Sequence, residues 1–173
     1  MLKGQDIGLI IKLLLKQQSS QIIEHTILAY ELHISQSEVS KGMLRLEKAS
    51  LISRYEDKII EIHKHALLEM LVYGLKYFMG AELNIEQRGI PTAYSSPYLI
   101  KELVSKDSYV WPHINGQSKG LALTPLYKTL PHALYKFPDD DFYKIMSIIE
   151  LLRLGGSREI TIARKILEEI LWP

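Results

Sequence analysis

The sequence contains no cysteine, so disulfides, thiolate metal sites, iron–sulfur clusters and a cysteine nucleophile are all excluded. It also lacks an excess of either charge. Lys and Arg total 21 against 20 Asp and Glu, a formal net charge of +1, which excludes a supercharged nucleic-acid tail. No apolar run approaches the ~20 residues needed to span a bilayer. The longest, Ile7 to Leu15 and Ala66 to Met79, are broken by Lys12, Glu69, Gly74 and Lys76. The opening Met1-Leu2-Lys3-Gly4-Gln5-Asp6 has neither the basic segment nor the apolar run of a secretory signal, so a soluble, cytoplasmic protein is expected. Apolar residues make up 47% of the 173, which excludes a disordered chain and suits one domain or one domain with an appendage.

Proline is scarce outside one block. Six of the seven prolines, Pro91, Pro97, Pro112, Pro125, Pro131 and Pro138, fall between residues 91 and 138, which predicts an irregular segment with fuller helices on either side. That block also carries Tyr94, Tyr98, Tyr109, Trp111, Tyr127, Tyr135 and Phe137, too many rings for a linker. Tyr94, Tyr98, Trp111 and Tyr127 are candidates for an effector pocket. The alternative is a mini-core folded over the helices.

Helical spacing of Ile7, Ile10, Ile11, Leu14 and Leu15 predicts a first helix with Lys12 and Lys16 in solvent. A second short helix carries Leu28, Ala29 and Leu32, and a third, from about Ser37 to Ala49, turns Val39, Met43 and Leu46 inward. Leu51 to Tyr55 and Lys58 to His63 read as a small β-hairpin. Ala66 to Met79 reads as a long helix, apolar on more than one face, that must be covered by this chain or by a second copy. Asp139-Asp140-Asp141 offers a helix start, Gly155-Gly156 a stop, and Ser157 a cap for a last helix with Ile160, Ala163, Ile166, Leu167 and Ile170 inward. The expected fold is mainly α, divided into residues 1–65 and a helical region 66–173 that serves dimerisation or regulation.

The run from Leu28 to Ser40 carries the functional expectation. Two short helices crossing steeply need a small residue at the contact, which Ala29 supplies, and an apolar wedge in the turn, which Ile34 supplies. Ser35 or Ser37 caps the third helix. Its outer face is then Gln36, Ser37, Ser40, Lys41, Leu44, Arg45 and Lys48, polar and basic, which suits the major groove of double-stranded DNA. In this reading Ser37, Ser40, Lys41 and Arg45 probe bases, while Gln36, Lys48, Arg54 and Lys58 hold phosphates. Glu38 either accepts from a base edge or favours the helix N-terminus. Charge argues the other way: residues 1–65 hold nine Lys and Arg (Lys3, Lys12, Lys16, Lys41, Arg45, Lys48, Arg54, Lys58, Lys64) against eight Asp and Glu (Asp6, Glu24, Glu31, Glu38, Glu47, Glu56, Asp57, Glu61).

Leu28-Ala29, Leu32, Ile34-Ser35, Val39-Ser40, Leu46-Glu47 and Leu51-Ile52 resemble, in type and spacing, the winged helix-turn-helix domains of MarR-type bacterial regulators. The resemblance implies a homodimeric transcriptional regulator on a pseudo-palindromic site, with the hairpin as wing. His33 and Ser50 stand where that pattern usually has Gly. Arg88-Gly89-Ile90-Pro91-Thr92-Ala93, Val110-Trp111-Pro112, Gly120 to Tyr127 and Leu152-Arg153-Leu154-Gly155 resemble the C-terminal half of an uncharacterised group of bacterial winged-helix proteins, which brings no ligand or catalytic residue with it. The second function class is a protein-interaction module, an antitoxin-like or inhibitory partner whose C-terminal half is the working surface. No enzyme is expected, because no nucleophile, base and orienting group assemble from the spacing. His63 and His65 have no carboxylate at a recognised ligand spacing, and Asp139 to Asp141, which could suggest a divalent cation, are explained more cheaply as an acidic helix start, so no metal and no cofactor are expected.

Overall fold

The structure, a computed structural model, describes residues 1–55, 59–99, 101 and 103–173. Helix α1 (Gly4–Gln18) is its axis, with Ile7, Leu9, Ile10, Ile11, Leu13 and Leu14 all buried. A helix apolar on every side must be covered on every side. α2 (His25–Leu32), α3 (Gln36–Lys48) and α7 (Asp140–Leu154) do so. Lys12 and Lys16, expected in solvent, are therefore buried as well. Lys12 Nζ donates to Asp139 at 2.6 Å, lies 3.6 Å from Glu31 and sits over the Phe142 ring, while Lys16 Nζ donates to Glu31 at 2.8 Å. Covering α1 encloses its ammonium groups, and carboxylates from α2 and from the start of α7 compensate them.

Ser35 caps α3, its Oγ accepting from the Glu38 N–H at 3.1 Å, and Val39, Met43 and Leu46 turn inward as the spacing predicts. Strands β1 (Ile52–Arg54) and β2 (Ile60–Ile62) pair antiparallel, with Ile52 opposite Ile62. The stretch expected as one long helix is α4 (Lys64–Glu69), a π-helical turn (Met70–Gly74) and α5 (Leu75–Phe78). The extra residue of a π turn rotates the helix beyond it. Leu67, Leu68, Leu71, Val72 and Leu75 are buried, whereas Tyr73, Tyr77 and Phe78 are exposed.

The proline-rich block is more regular than expected. Leu83–Pro91 (β3), Tyr109–Pro112 (β4) and Ser118–Leu123 (β5) close on one another: β3 pairs antiparallel with β5 along its length and with β4 at its end, and β4 pairs parallel with β5. Pro91 and Pro112 are the last residues of their strands, where the missing N–H costs no ladder bond. A short helix, α6 (Leu130–Lys136), leads to α7, which starts on Asp139, its carboxylate accepting from the Phe142 N–H at 2.9 Å. α8 (Ser157–Leu171) completes the helical hairpin. Its cap is Gly156, whose N–H donates to Glu159 at 3.0 Å, rather than the expected Ser157, which is already inside the helix.

One hydrophobic cluster runs from Ile7 to Leu171 and draws on both sides of residue 65. At its far side the fully buried Glu150 accepts from Trp111 Nε1 (3.0 Å), from the Leu126 N–H (3.2 Å) and from Arg153. The same Arg153 donates to the carbonyls of Met79 (2.7 Å), Gly80 (2.8 Å) and Thr124 (3.2 Å). This pair ties the sheet, the end of α5 and the 124–126 segment to α7. Gly4 marks another close approach: a Cβ there would stand 1.7 Å from the Leu126 carbonyl oxygen.

Candidate nucleic-acid interface

α3 is set on α1 by a charge clamp. Arg45 Nε and one terminal nitrogen donate to Asp6 Oδ2 and Oδ1, each at 2.7 Å, and Asp6 is 1% exposed. Gly42 lets the helices close, since a Cβ there would lie 2.8 Å from the Leu9 side chain and 3.0 Å from Asp6. The hydrogen bond to Asp6 is the main cause that pushes the Arg45 guanidinium above its ordinary value. Arg45, expected to probe bases, is thus turned back onto α1 with only 17% of its side chain exposed. A carboxylate buried under the helix has first claim on the nearest guanidinium, and the fork geometry fits it bidentately.

What α3 exposes is the stripe Gln36, Ser37, Ser40, Lys41, Leu44 and Lys48. Ser40 Oγ is 3.1 Å from His25 Nδ1. Lys41 lies 3.9 Å from Glu38, which also accepts from Gln5 and from Lys3 (3.4 Å) and stands 3.5 Å from Arg45. Burial pushes the Glu38 carboxyl up, but the Gln5 hydrogen bond and the Lys3 and Arg45 charges outweigh it and hold it below its ordinary value. Glu38 stands in the first turn of α3, as the helix-N-terminus alternative has it, and its carboxylate also folds back to the start of α1. Arg54 is engaged too, its Nε donating to Glu47 at 3.1 Å, and that bond lowers the Glu47 carboxyl. Lys58 lies outside the described residues. The near-neutral charge of residues 1–65 is thus spent largely in internal pairs, which leaves Lys41 and Lys48 as the exposed cations of α3.

Both positions where the sequence departs from Gly adopt the left-handed backbone: His33 has φ 54° and Ser50 φ 56°. The Leu51 N–H reaches the Leu46 carbonyl at 3.0 Å around Ser50, so α3 ends as sharply as a glycine would end it.

Tyr94, Tyr98, Trp111 and Tyr127 do not share a pocket. Trp111 is committed to Glu150 in the core. Tyr127 is buried against α1 at Gly8, and burial pushes its hydroxyl up. Tyr98 donates to Asp140 at 2.7 Å, and burial together with that carboxylate pushes its hydroxyl up to about 12. Tyr94 lines a surface cleft of about 620 Å³ with Leu103, Ser105, Asp107, Ser108 and Lys119. Trp111 and Tyr98 belong to the packing on α7, where each meets Tyr143. His63 bonds Ser50 and Ser53, whereas His65 stacks on Trp172, so the pair points two ways. Among the described residues no group of three His, Asp or Glu side chains converges as a metal site would require.

Three elements far apart in sequence bring their histidines together: His33, at the turn into α3, lies 4.5 Å (ring centres) from His132 of α6, which lies 5.7 Å from His113 beyond β4. Their separation along the chain left no spacing to detect. No family model, curated protein or solved structure matches the chain. Among the described residues no helix is long and apolar enough to cross a membrane.

Proposed function

We propose that the chain is a sequence-specific DNA-binding transcriptional regulator in which residues 1–65 act as a winged helix-turn-helix. α3 enters the major groove of double-stranded DNA, and the β1–β2 hairpin lies along the flanking backbone as the wing. The observation that carries this reading is the exposed stripe of α3, short and polar at its capped N-terminal end and cationic at Lys41 and Lys48. Ser37, Ser40 and Lys41 then face base edges, and Gln36 and Lys48 face phosphates. Arg45 takes a different part from the one its sequence position suggests. It is a positioning residue that fixes the angle at which α3 leaves α1.

A homodimer, with the exposed Tyr73, Tyr77 and Phe78 against a second copy, would set two such helices on a two-fold symmetric site, with half-sites about one helical turn apart or a multiple of it. Selection from a randomised double-stranded pool at two salt concentrations tests the reading. Enrichment of a symmetric motif is expected, with Lys48→Ala weakening all sequences alike and reducing the salt slope by about one. Absence of enrichment at both salt concentrations overturns it, and leaves the exposed aromatic face of α5 as the surface of a protein-interaction module.

A further inference from the structure

We infer that the row His33, His132, His113 is a proton-sensitive latch that holds α6 and the end of β4 against the turn before α3. His33 occupies the left-handed position between α2 and the Ser35 cap, so the backbone sets the direction of its Cα–Cβ bond, and the exposed ring packs against His132. Its edge meets the ring of His132, and His132 meets His113, whose other neighbour is Tyr135 at 4.8 Å. The row therefore touches the DNA-facing turn at one end and the sheet at the other.

The geometry favours an uncharged ring at His113. His113 Nδ1 accepts from the Asn115 N–H at 3.3 Å, which leaves the ring proton on Nε2 and no room for a second one on Nδ1 without losing that bond. Burial first, and the neighbouring His132 second, lower the tendency of His113 to take up a proton. The groups around the row do not compensate a positive charge. Lys136 of α6 lines the same surface cleft as His33, Arg88 of β3 donates to Gly116 in the loop that carries His113, and Tyr135 is uncharged. Glu31 of α2 is committed to Lys12 and Lys16, and among the described residues no carboxylate forms an ion pair with any of the three rings. Protonated imidazoles at His113 and His132, both half-buried, repel each other with no carboxylate paired to either ring, while water screens the exposed His33. Acidification through the ordinary imidazole range thus parts α6 from the turn. A ring harder to protonate in the folded state than in the unfolded chain contributes stability above the ordinary histidine value, and that contribution is lost as the pH falls.

Resting on the DNA-binding reading, the consequence is that acid loosens the seat of α3 and lowers the ratio of specific to random-sequence affinity. The test uses the full chain with His132→Phe, which keeps a ring in the row and removes its charge. Without DNA, long-range ¹H–¹⁵N spectra of the wild type are expected to show His113 with its proton on Nε2 and titrating below an ordinary histidine. The Tm of the wild type is expected to fall between about pH 7.5 and about pH 5.5 by more than that of the variant. A proton on Nδ1 of His113, ordinary titration of all three rings, or parallel Tm profiles overturns the latch. With DNA, a ratio that falls several-fold on acidification in the wild type and stays level in His132→Phe supports the coupling to α3; equal responses in the two proteins overturn it. A protein that binds no DNA at any pH refutes the proposed function instead, while the spectra and Tm profiles still decide the latch.

Discussion

Arg45 shows how a residue's partner decides its role. Removing its guanidinium leaves the Asp6 carboxylate, 1% exposed, with no cation against it, and breaking a buried pair from one side costs about 3–5 kcal/mol. Arg45→Ala is therefore expected to lower stability in denaturant unfolding by about 3 kcal/mol, a loss that a purely DNA-facing arginine would not produce. A variant as stable as the wild type would show that the clamp on Asp6 holds nothing in place. Ser50 offers the opposite change. A non-glycine residue at φ 56° carries a local penalty of about 1 kcal/mol, so Ser50→Gly is expected to stabilise the chain by about that amount and to raise Tm. His33 carries the same backbone strain, but Gly there would also remove a ring from the imidazole row.

Among the elements, those with a periodic apolar face could be read in advance and those without one could not. α1, α2, α3, the hairpin, α7 and α8 follow from positions such as Ile10, Leu28, Val39 and Leu167, which repeat at helical intervals or bracket a turn. The closed sheet gives no such signal. The side chains of Leu83 to Arg88 are all exposed, and the prolines that seemed to forbid strands stand at strand ends, where they do no harm. The exposed stripe on α3 was legible because it needs only spacing. That Arg45 and Arg54 are occupied was not, because Asp6 lies 39 residues from Arg45 and only packing brings them together. Close approach at the start of α1 is testable by the same kind of substitution: Gly4→Ala sets a methyl against the Leu126 backbone and is expected to cost about 1–3 kcal/mol, read as a lowered Tm.

For the molecule as a whole, one buried ionic knot, Lys12 with Asp139, crosses the division at residue 65, and a second, Glu150 with Arg153, ties together the parts beyond it. Burial pushes the Asp139 carboxyl up, but the Lys12 hydrogen bond and the Phe142 N–H prevail and hold it below its ordinary value. Its contribution is therefore present above the ordinary aspartate range and lost as the pH falls through it. Lys12→Met is expected to flatten the acid limb of the stability profile below about pH 4, as followed by circular dichroism, even if stability at neutral pH also changes. At the other knot, Arg153→Leu strands the Glu150 carboxylate and is expected to cost about 3–5 kcal/mol, much of it recovered when Glu150→Leu is added. Equal losses in the single and double variants would show that the stranded Glu150 carboxyl costs nothing and that the loss lies in the bonds Arg153 makes to the Met79, Gly80 and Thr124 carbonyls.

The burial of α1 on every side bears on inheritance. A segment that presents a finished surface to its neighbour can be exchanged between proteins like a cartridge. Here the helix that seats α3 also lies against α7, so a graft of residues 1–65 would carry an apolar flank with two ammonium groups and, for Lys12, no Asp139 to meet it. Recombination at that boundary would be punished, and the two halves are expected to have descended together.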